Sequence, residues 1–384
     1  MLTINPKVSI IIPHHHGQNL ILGCLNSLSS QTYSNVEIII MDNGSRDGSI
    51  EIISQEFSSS PLHSRGNLSA YGGKKGGQRT SPPVSGGELK RGQHSLPPCY
   101  CRGEQKGGYL KRENIDQQFK IIHLPENEGF AYAINLGIRE SQGDLLAVLN
   151  NDAEVEPDWI QNGVKAFTEH PEIGILASRI MDFYHRDVIQ NTGIVIHRCG
   201  RPSGRGRGKM YSEQWSKQEE VFGASGGAMM VRRSVWEKVG PFREDFVSYL
   251  EDVDWAFRAR LWGEKCLYIP DMVVHHREAS TQDKQGQIGV DSPERVRKIA
   301  RNKLWTLWLN TPWQIFILQL PFIIGGLFYS LTYHTFKSGQ LNPFLIGTFE
   351  GKWGIIPRWK DRRTIQKQRK ISIKELRVWY NHEQ

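Results

Sequence analysis

The first 57 positions alternate between short β-branched runs and apolar residues at helical spacing. Val8–Ile12 is a continuous run stopped by Pro13, the pattern of a buried parallel strand. Leu20, Ile21, Cys24, Leu25 and Leu28 recur on one helical face and predict a helix over Leu20–Ser30. Val36–Met41 predicts a second strand, ending on Asp42-Asn43-Gly44, and Ser49–Phe57 a second helix. Strand, helix, strand, helix at this spacing predicts a doubly wound, mainly parallel α/β sheet flanked by helices.

From Ser58 to Arg112 the chain is rich in Gly, Ser, Pro, Lys and Arg and has almost no apolar periodicity. Such a segment buries too little surface to offset its ordering entropy, so it reads as a low-complexity, disordered insertion. Order resumes with a strand at Phe119–Leu124, the turn Glu126–Gly129 and a helix through about Glu140. Asp144–Leu149 is the next strand and ends on Asn150-Asn151-Asp152, and Pro157 opens a helix at its tolerated first-turn position. Ile173–Ile180 and Ile194–His197 read as strands, Gly200–Gly208 as a glycine-arginine loop, and Ser234–Val239 and Glu251–Trp262 as helices. Strands at Leu267–Ile269 and Met272–His275 close the globular part, so residues 1–57 and 113–300 are expected to form one catalytic domain.

Residues 301–384 have a different texture and predict a membrane-associating helical appendage. Trp313–Leu331 is apolar over about nineteen residues, near the ~20 that cross a bilayer. Trp305, Trp308 and Trp313 precede it and Tyr329 and Tyr333 lie near its end, as at a membrane interface. Gln314, Gln319 and Pro321 suit a helix lying in that interface better than a full span. Lys352–Arg377 is strongly basic and suits an anionic lipid surface; a buried helix with a solvated basic tail is the alternative.

The net charge of +8 allows nucleic acid, anionic lipid or phosphorylated substrates as partners. The basic residues are not interleaved with stacking aromatics in any nucleic-acid-binding module, which argues against nucleic acid. Five scattered cysteines fit a reducing compartment, and MLTINPKVSIIIP lacks the form of a signal peptide. The expected location is the cytoplasm, at the cytoplasmic face of the plasma membrane.

Several acids fall where chemistry is done in such folds. Asp42 ends the second strand, where open α/β sheets bind ligands, and could accept from a base N–H or a ribose hydroxyl; the same residues also make an ordinary turn. Asp152, beside Asn150 and Glu154, suits Mg²⁺ or Mn²⁺ shared with a diphosphate, or else a helix N-cap cluster. Glu251, Asp252 and Asp254 open a helix, where one carboxylate can act as general base or all can complement the helix dipole. His275 and His276 follow a strand end and could ligate a metal or face solvent. There is no G-x-G-x-x-G after the first strand and no G-x-x-x-x-G-K-[ST].

Taken in order, VSIIIP (Val8–Pro13), MDNGSRDGS (Met41–Ser49), NEGFAYAINLGI (Asn127–Ile138) and LLAVLNND (Leu145–Asp152) resemble the family 2 glycosyltransferases of GT-A fold, especially the rhamnosyltransferase-like branch. GASGGAMMVRR (Gly223–Arg233), YLEDVDWAFRARLWG (Tyr249–Gly263) and VVHH (Val273–His276) continue the resemblance. It implies a nucleoside-diphosphate sugar donor, a glycan or lipid-linked acceptor, Mg²⁺ or Mn²⁺, and inversion at the anomeric carbon. It implies that Pro13 and Asp42 contact the nucleoside, and that Asn127, Gly129 and Asn135 shape the ribose and diphosphate side. Asn150 takes the place of the first acid of the D-x-D element, Asp152 would be the metal ligand, and His275 would complete the metal site. Asp252, within the Glu251-Asp252 pair, would be the general base, and Arg301 would reach the diphosphate. The chain departs from the family in His14-His15-His16, in Phe242-Arg243-Glu244 and in the insertion. These departures leave a catalytically inactive nucleotide-sugar-binding homologue as the alternative.

Overall fold

The computed structural model describes residues 5–58, 110–113, 119–277 and 292–380. β1 (Val8–His14), α1 (Gln18–Ser29), β2 (Val36–Asn43) and α2 (Ser49–Ser58) form the first two strand–helix units. β3 (Leu110–Glu113) runs antiparallel to β4 (Phe119–Leu124), and α3 (Phe130–Arg139) leads into β5 (Leu145–Leu149). There follow β6 (Ala153–Val155), α4 (Trp159–Glu169), β7 (Ile175–Asp182), β8 (Ile189–Asn191), β9 (Ile194–Ile196) and β10 (Pro202–Gly204). β11 (Glu219–Val221), β12 (Ala228–Arg232), α5 (Arg233–Val239), α6 (Glu251–Leu261) and β13 (Cys266–His276) complete the sheet region. The chain continues through α7 (Pro293–Asn310), α8 (Trp313–Phe336), α9 (Leu341–Gly354), α10 (Trp359–Lys367) and α11 (Ile373–Val378).

The main sheet has the order β11-β13-β7-β12-β5-β1-β2-β4-β3, with β4, β2, β1 and β5 parallel and β12 antiparallel between β5 and β7. Alternation along each strand divides the core between the two faces. Val8, Ile10 and Ile12 pack with Ile21, Cys24 and Leu25 of α1, whereas Ile11, Ile39 and Met41 pack with Ala131, Ile134 and Ile138 of α3. Because both faces are covered, the central strands read as near-continuous apolar runs, broken in β1 and β2 by Ser9 and Glu37, whose side chains hydrogen-bond each other. The expected α/β sheet flanked by helices is therefore the observed one.

Four boundaries differ from the sequence expectation. Leu110–Arg112, assigned to the insertion, belong to β3, and the part of the insertion at 59–109 lies outside the described residues. Leu267–Ile269 and Met272–His275 are one strand, β13, whose register shifts around Pro270. α8 runs on to Phe336 and carries Pro321 in its interior. The division at 300/301 falls inside α7, which Ser292 caps by accepting from the Arg295 N–H and which has Pro293 in its first turn. This capped helix had a legible signal in Ser292-Pro293-Glu294.

Part of the C-terminal region belongs to the core. Ile365 of α10, and Leu376 and Tyr380 in and after α11, are buried in the same apolar layer as Val253 and Phe257 of α6. Arg243, one of the departures noted in the sequence, is buried and pairs with Asp245 at 2.8 Å and with Asp361 of α10 at 2.9 Å.

Candidate active site

An open cavity of about 570 Å³ lies beyond the carboxyl ends of β1 and β5. One wall carries Pro13, His14, His15, Asn43 and Asn127, and Asn150, Asn151, Asp152 and His276 line its middle. Across from them stand Ser225–Gly227, Tyr249–Val253 and the β9–β10 hairpin with Pro202, Ser203, Gly204 and Arg207. Arg295 and Ile299 of α7 also line it.

The three consecutive histidines have three different environments. His14 is buried, and its Nε2 lies 2.8 Å from Ser49 Oγ, which itself donates to Asp47 Oδ1 at 2.6 Å. Nε2 therefore donates to Ser49, and Nδ1 accepts from the Asn151 amide at 2.9 Å. Burial outweighs the nearby Asp42 and Asp47 charges and lowers the His14 pKa to about 4, so the ring is neutral and works as a structural bracket between β1, α2 and the β5 end. His15 is exposed on the cavity wall and donates through Nδ1 to the Asn43 carbonyl at 2.8 Å. His16 adopts φ 59° at the turn into α1.

Asp152 meets His276, not His275. The Gln190 side chain donates through Nε2 to the His276 carbonyl at 2.8 Å and to Asp182 at 3.2 Å, which turns its Oε1 to His276 Nδ1 at 2.9 Å. Nδ1 must then carry the ring proton, leaving Nε2 facing Asp152 Oδ1 at 3.0 Å and the Asn150 amide at 3.1 Å. An imidazole lone pair and a carboxylate that close attract only with a proton or a cation between them. Burial pushes the Asp152 carboxyl up, but His276, then its own backbone N–H and Arg277, outweigh that and hold it below its ordinary value. His275 lies on the opposite face of β13, with Nε2 2.9 Å from Glu156, because successive side chains of a strand alternate. Glu154 is paired with Arg277. Among the described residues no group of three or more His, Cys, Asp or Glu side chains converges on a metal position, so the protein offers one carboxylate and one imidazole.

The Glu251-Asp252 pair is presented by an unusual loop. Val247, Tyr249 and Leu250 have φ of 64°, 72° and 67°, a left-handed backbone that costs of order 1–3 kcal/mol per non-glycine residue and that gathers at functional sites. Asp252 is partly exposed in the cavity, and its Oδ2 accepts from the Gly226 N–H at 2.8 Å and its Oδ1 from the Val253 N–H at 2.8 Å. Burial raises its pKa in spite of these donors. Glu251 is buried beside it, and burial, then the Asp252 charge, raise its pKa well above the ordinary value. Asp254 is turned into the core, where Arg258 and Asn310 hold it at 2.9 and 2.8 Å.

Other sequence candidates sit behind the walls. Asp42 is buried with both oxygens engaged, by His123 Nδ1 at 2.8 Å and the Ser45 N–H at 3.0 Å, and Asn43 reaches the cavity in its place. Asn135 is buried away from the cavity and holds Phe242 through its N–H and carbonyl, both at 2.9 Å. Gly129 has φ 95°, and a Cβ there would lie 2.6 Å from the Val247 carbonyl, so only glycine lets α3 approach the strained loop. Arg301 donates to the Phe246 carbonyl at 3.0 Å and to Asn302 Oδ1 at 2.9 Å, away from the cavity. Its neighbour Asn302, fully buried, grips the same loop; sequence reasoning had no signal for it, because an asparagine in a helix looks like a surface residue. Asn43, Asn151 and Gln190 were likewise missed, since each acquires its role from a partner distant in the chain, Asn127, His14 and His276 respectively, as were Arg207 and Arg295, which line the cavity.

The family model for glycosyl transferase family 2 matches residues 9–67 and 108–240, half of the chain. Glycosyltransferase AglE of Haloferax volcanii is 25% identical over 319 residues, covering 80% of this chain and 82% of that protein. Putative glycosyltransferase EpsH of Bacillus subtilis is 21% identical over 280 residues, covering 71% of this chain and 61% of that protein. Protein y4gI of Sinorhizobium fredii is 20% identical over 305 residues, but the chain spans only 26% of its length. The crystal structure of GalNAc-T7 with UDP, GalNAc and Mn²⁺ superposes with a TM-score of 0.53 at 13% identity, over 80% of this chain and 48% of that one. That likeness concerns the fold, which is of GT-A type. With its motifs in order and half its length matched by the family, the chain belongs to glycosyl transferase family 2.

Proposed function

We propose that the chain transfers a sugar from a nucleoside-diphosphate sugar to an acceptor hydroxyl with inversion, using a divalent metal and Asp252 as general base. The observation that carries this reading is the Asp152–His276 contact lining the same cavity as Asp252. The donor set, a carboxylate and an imidazole with its other nitrogen held by Gln190, fits Mg²⁺ or Mn²⁺ whose remaining positions are filled by diphosphate oxygens and water. Such an ion supplies charge stabilisation to the departing nucleoside diphosphate. The wall of Pro13, His15, Asn43 and Asn127 is the nucleoside side.

Asp252 accepts the proton of the acceptor hydroxyl as that oxygen bonds to the anomeric carbon from the face opposite the diphosphate. The bond from carbon to diphosphate breaks, its electron pair leaves with the nucleotide, and the configuration inverts. A raised pKa makes Asp252 a better base, while the Gly226 and Val253 N–H groups keep its carboxylate aimed.

The branch resemblance favours rhamnose as the sugar and a cell-surface polysaccharide as the product. α8, 24 residues long, is apolar enough by length and composition to cross or lie in a membrane, and most of it is exposed, which supports work at a membrane; the reading places that work at the cytoplasmic face, on a glycan or lipid-linked acceptor. The test is nucleotide release from a panel of nucleotide sugars with Mg²⁺ or Mn²⁺, by wild type and Asp252→Asn. Transfer is expected to fall ~10²–10⁴-fold in the variant with donor affinity retained. No release by the wild type from any donor favours the inactive homologue. A variant retaining most of the wild-type rate moves the base to Glu251.

A further inference from the structure

Two carboxyl groups open α6 side by side, and their surroundings differ. Asp252 holds each oxygen against a backbone donor, the Gly226 N–H on Oδ2 and the Val253 N–H on Oδ1. Glu251 is 5% exposed and lines the same cavity, and its Oε2 is sealed from water with no partner among the described residues. Burial, then the Asp252 charge, oppose ionisation of Glu251; its own backbone N–H and Lys298 favour it less, and Lys298 already pairs with Glu294 at 2.6 Å. Adjacent carboxyls in a shielded site do not both ionise readily. The start of α6 favours one negative charge, and the backbone donors give it to Asp252. Glu251 keeps its proton, which turns an acceptor-only group into an O–H donor.

The backbone of Gly226 and Gly227 separates the two ends of the cavity. Gly226 donates to Asp252, and the Gly227 carbonyl accepts from the Asn150 N–H at 2.9 Å. Asp152 and His276 lie beside Asn150, whereas Glu251 belongs to the facing wall with Tyr249, Leu250 and Ile299. Tyr249 is 38% exposed there, so that wall combines apolar surface with a few placed polar groups, the make-up of a specific ligand site.

Building on the glycosyltransferase reading, we infer that Glu251 recognises the acceptor by donating its carboxyl O–H to the hydroxyl next to the one Asp252 deprotonates, so that the acceptor is a sugar with two vicinal hydroxyls. Asp252 takes the proton of the attacking hydroxyl, and Glu251 neither gives up nor gains a proton during transfer. The neighbouring hydroxyl, held by Glu251, fixes the ring so that the attacking oxygen faces the anomeric carbon. An alcohol without that neighbour leaves the Glu251 donor unpaired and is rejected.

The acceptors tested are the methyl glycosides of glucose, galactose, mannose and rhamnose, their monodeoxy derivatives, and cyclohexanol as a lone alcohol. Transfer is measured from the nucleotide sugar that wild type cleaves fastest, with wild type, Glu251→Gln and Glu251→Leu. Removing the hydroxyl beside the attacked one is expected to lower kcat/KM about 10–100-fold in wild type, and hardly at all in Glu251→Leu, which starts from the same deficit. Glu251→Gln, whose amide N–H donates in the same place, is expected to keep most of the wild-type kcat/KM. Infrared difference spectra read the proton without turnover. The band of a neutral carboxylic acid is expected in wild type at neutral pH, absent from Glu251→Gln, and displaced by a glycoside but not by its deoxy derivative. Glu251→Gln as impaired as Glu251→Leu, an equal deoxy loss in wild type and Glu251→Leu, or the absence of the acid band overturns the inference. So does cyclohexanol used as well as the glycosides, or nucleotide release with transfer to none of them. No nucleotide release from any donor, with the band still displaced by a glycoside, overturns the enzymatic reading and leaves the sugar recognition standing; without displacement both fall.

Discussion

The side-chain amide of Asn302 in α7 donates to the Tyr249 carbonyl at 2.7 Å, and also reaches the Phe246 and Ser248 carbonyls at 3.1 Å. Arg301 orients that amide by donating to its oxygen. A helix outside the sheet thus holds the left-handed backbone that turns Glu251 and Asp252 into the cavity. Asn302→Leu is expected to cost about 1–3 kcal/mol by leaving buried carbonyls unpaired. It should also lower kcat with little change in donor KM, because misplacing a reacting group by about 1 Å costs on the order of 10²-fold. Calorimetry and steady-state kinetics check both; a lowered Tm with unchanged kcat would show that the clamp serves stability alone.

The two adjacent histidines of β13 should separate cleanly. His276→Ala is expected to abolish the high-affinity response to Mn²⁺, and Gln190→Leu to weaken it ~10–100-fold by releasing the imidazole. His275→Ala should leave it nearly unchanged, since that ring faces Glu156. Mn²⁺ titration in the presence of nucleoside diphosphate measures this without turnover. An equal loss in the two histidine variants would count against the assignment.

Glu251 makes stability depend on pH in a defined direction. Its folded-state pKa is raised above the ordinary 4.5, so the folded protein keeps a proton that the unfolded chain releases. The contribution is whole below the unfolded pKa and is lost as pH rises toward the folded one. Glu251→Gln should therefore gain Tm relative to wild type as pH is raised from the acid side of 4.5 through neutrality. A Tm difference that stays flat across that range would mean the carboxyl is not held protonated.

The family match skips residues 68–107, and that stretch has the composition of a solvated segment. Removing 68–107 should leave Tm and activity close to those of the full chain, because the closure entropy of a connection changes only slowly with its length. Removing 58–112 also takes Leu110–Arg112 out of β3 and exposes the edge of β4, so it should lower Tm and favour aggregation. Thermal melts of the two deletions distinguish these outcomes.

The order of the main strands and helices, the parallel β4-β2-β1-β5 part of the sheet and the acids at strand and helix ends were legible in the sequence. Those features depend on local composition: apolar runs such as Val8–Ile12 can be satisfied only between two covered faces, Asp152 lies between β5 and β6, and Asp252 lies in the first turn of α6. What each side chain faces depends instead on register and on elements far away in the chain, and only the tertiary structure decided it. His275 and His276 are identical in composition, and one residue of strand alternation, read against β6 and Gln190, sends the second to Asp152 and the first to Glu156. Asp42 is drawn behind the wall because β4 sets His123 opposite it. Asn302 acts on Tyr249 across 53 positions because α7 packs against the left-handed loop before α6, a long-range contact for which residues 302 and 249 carry no local signature.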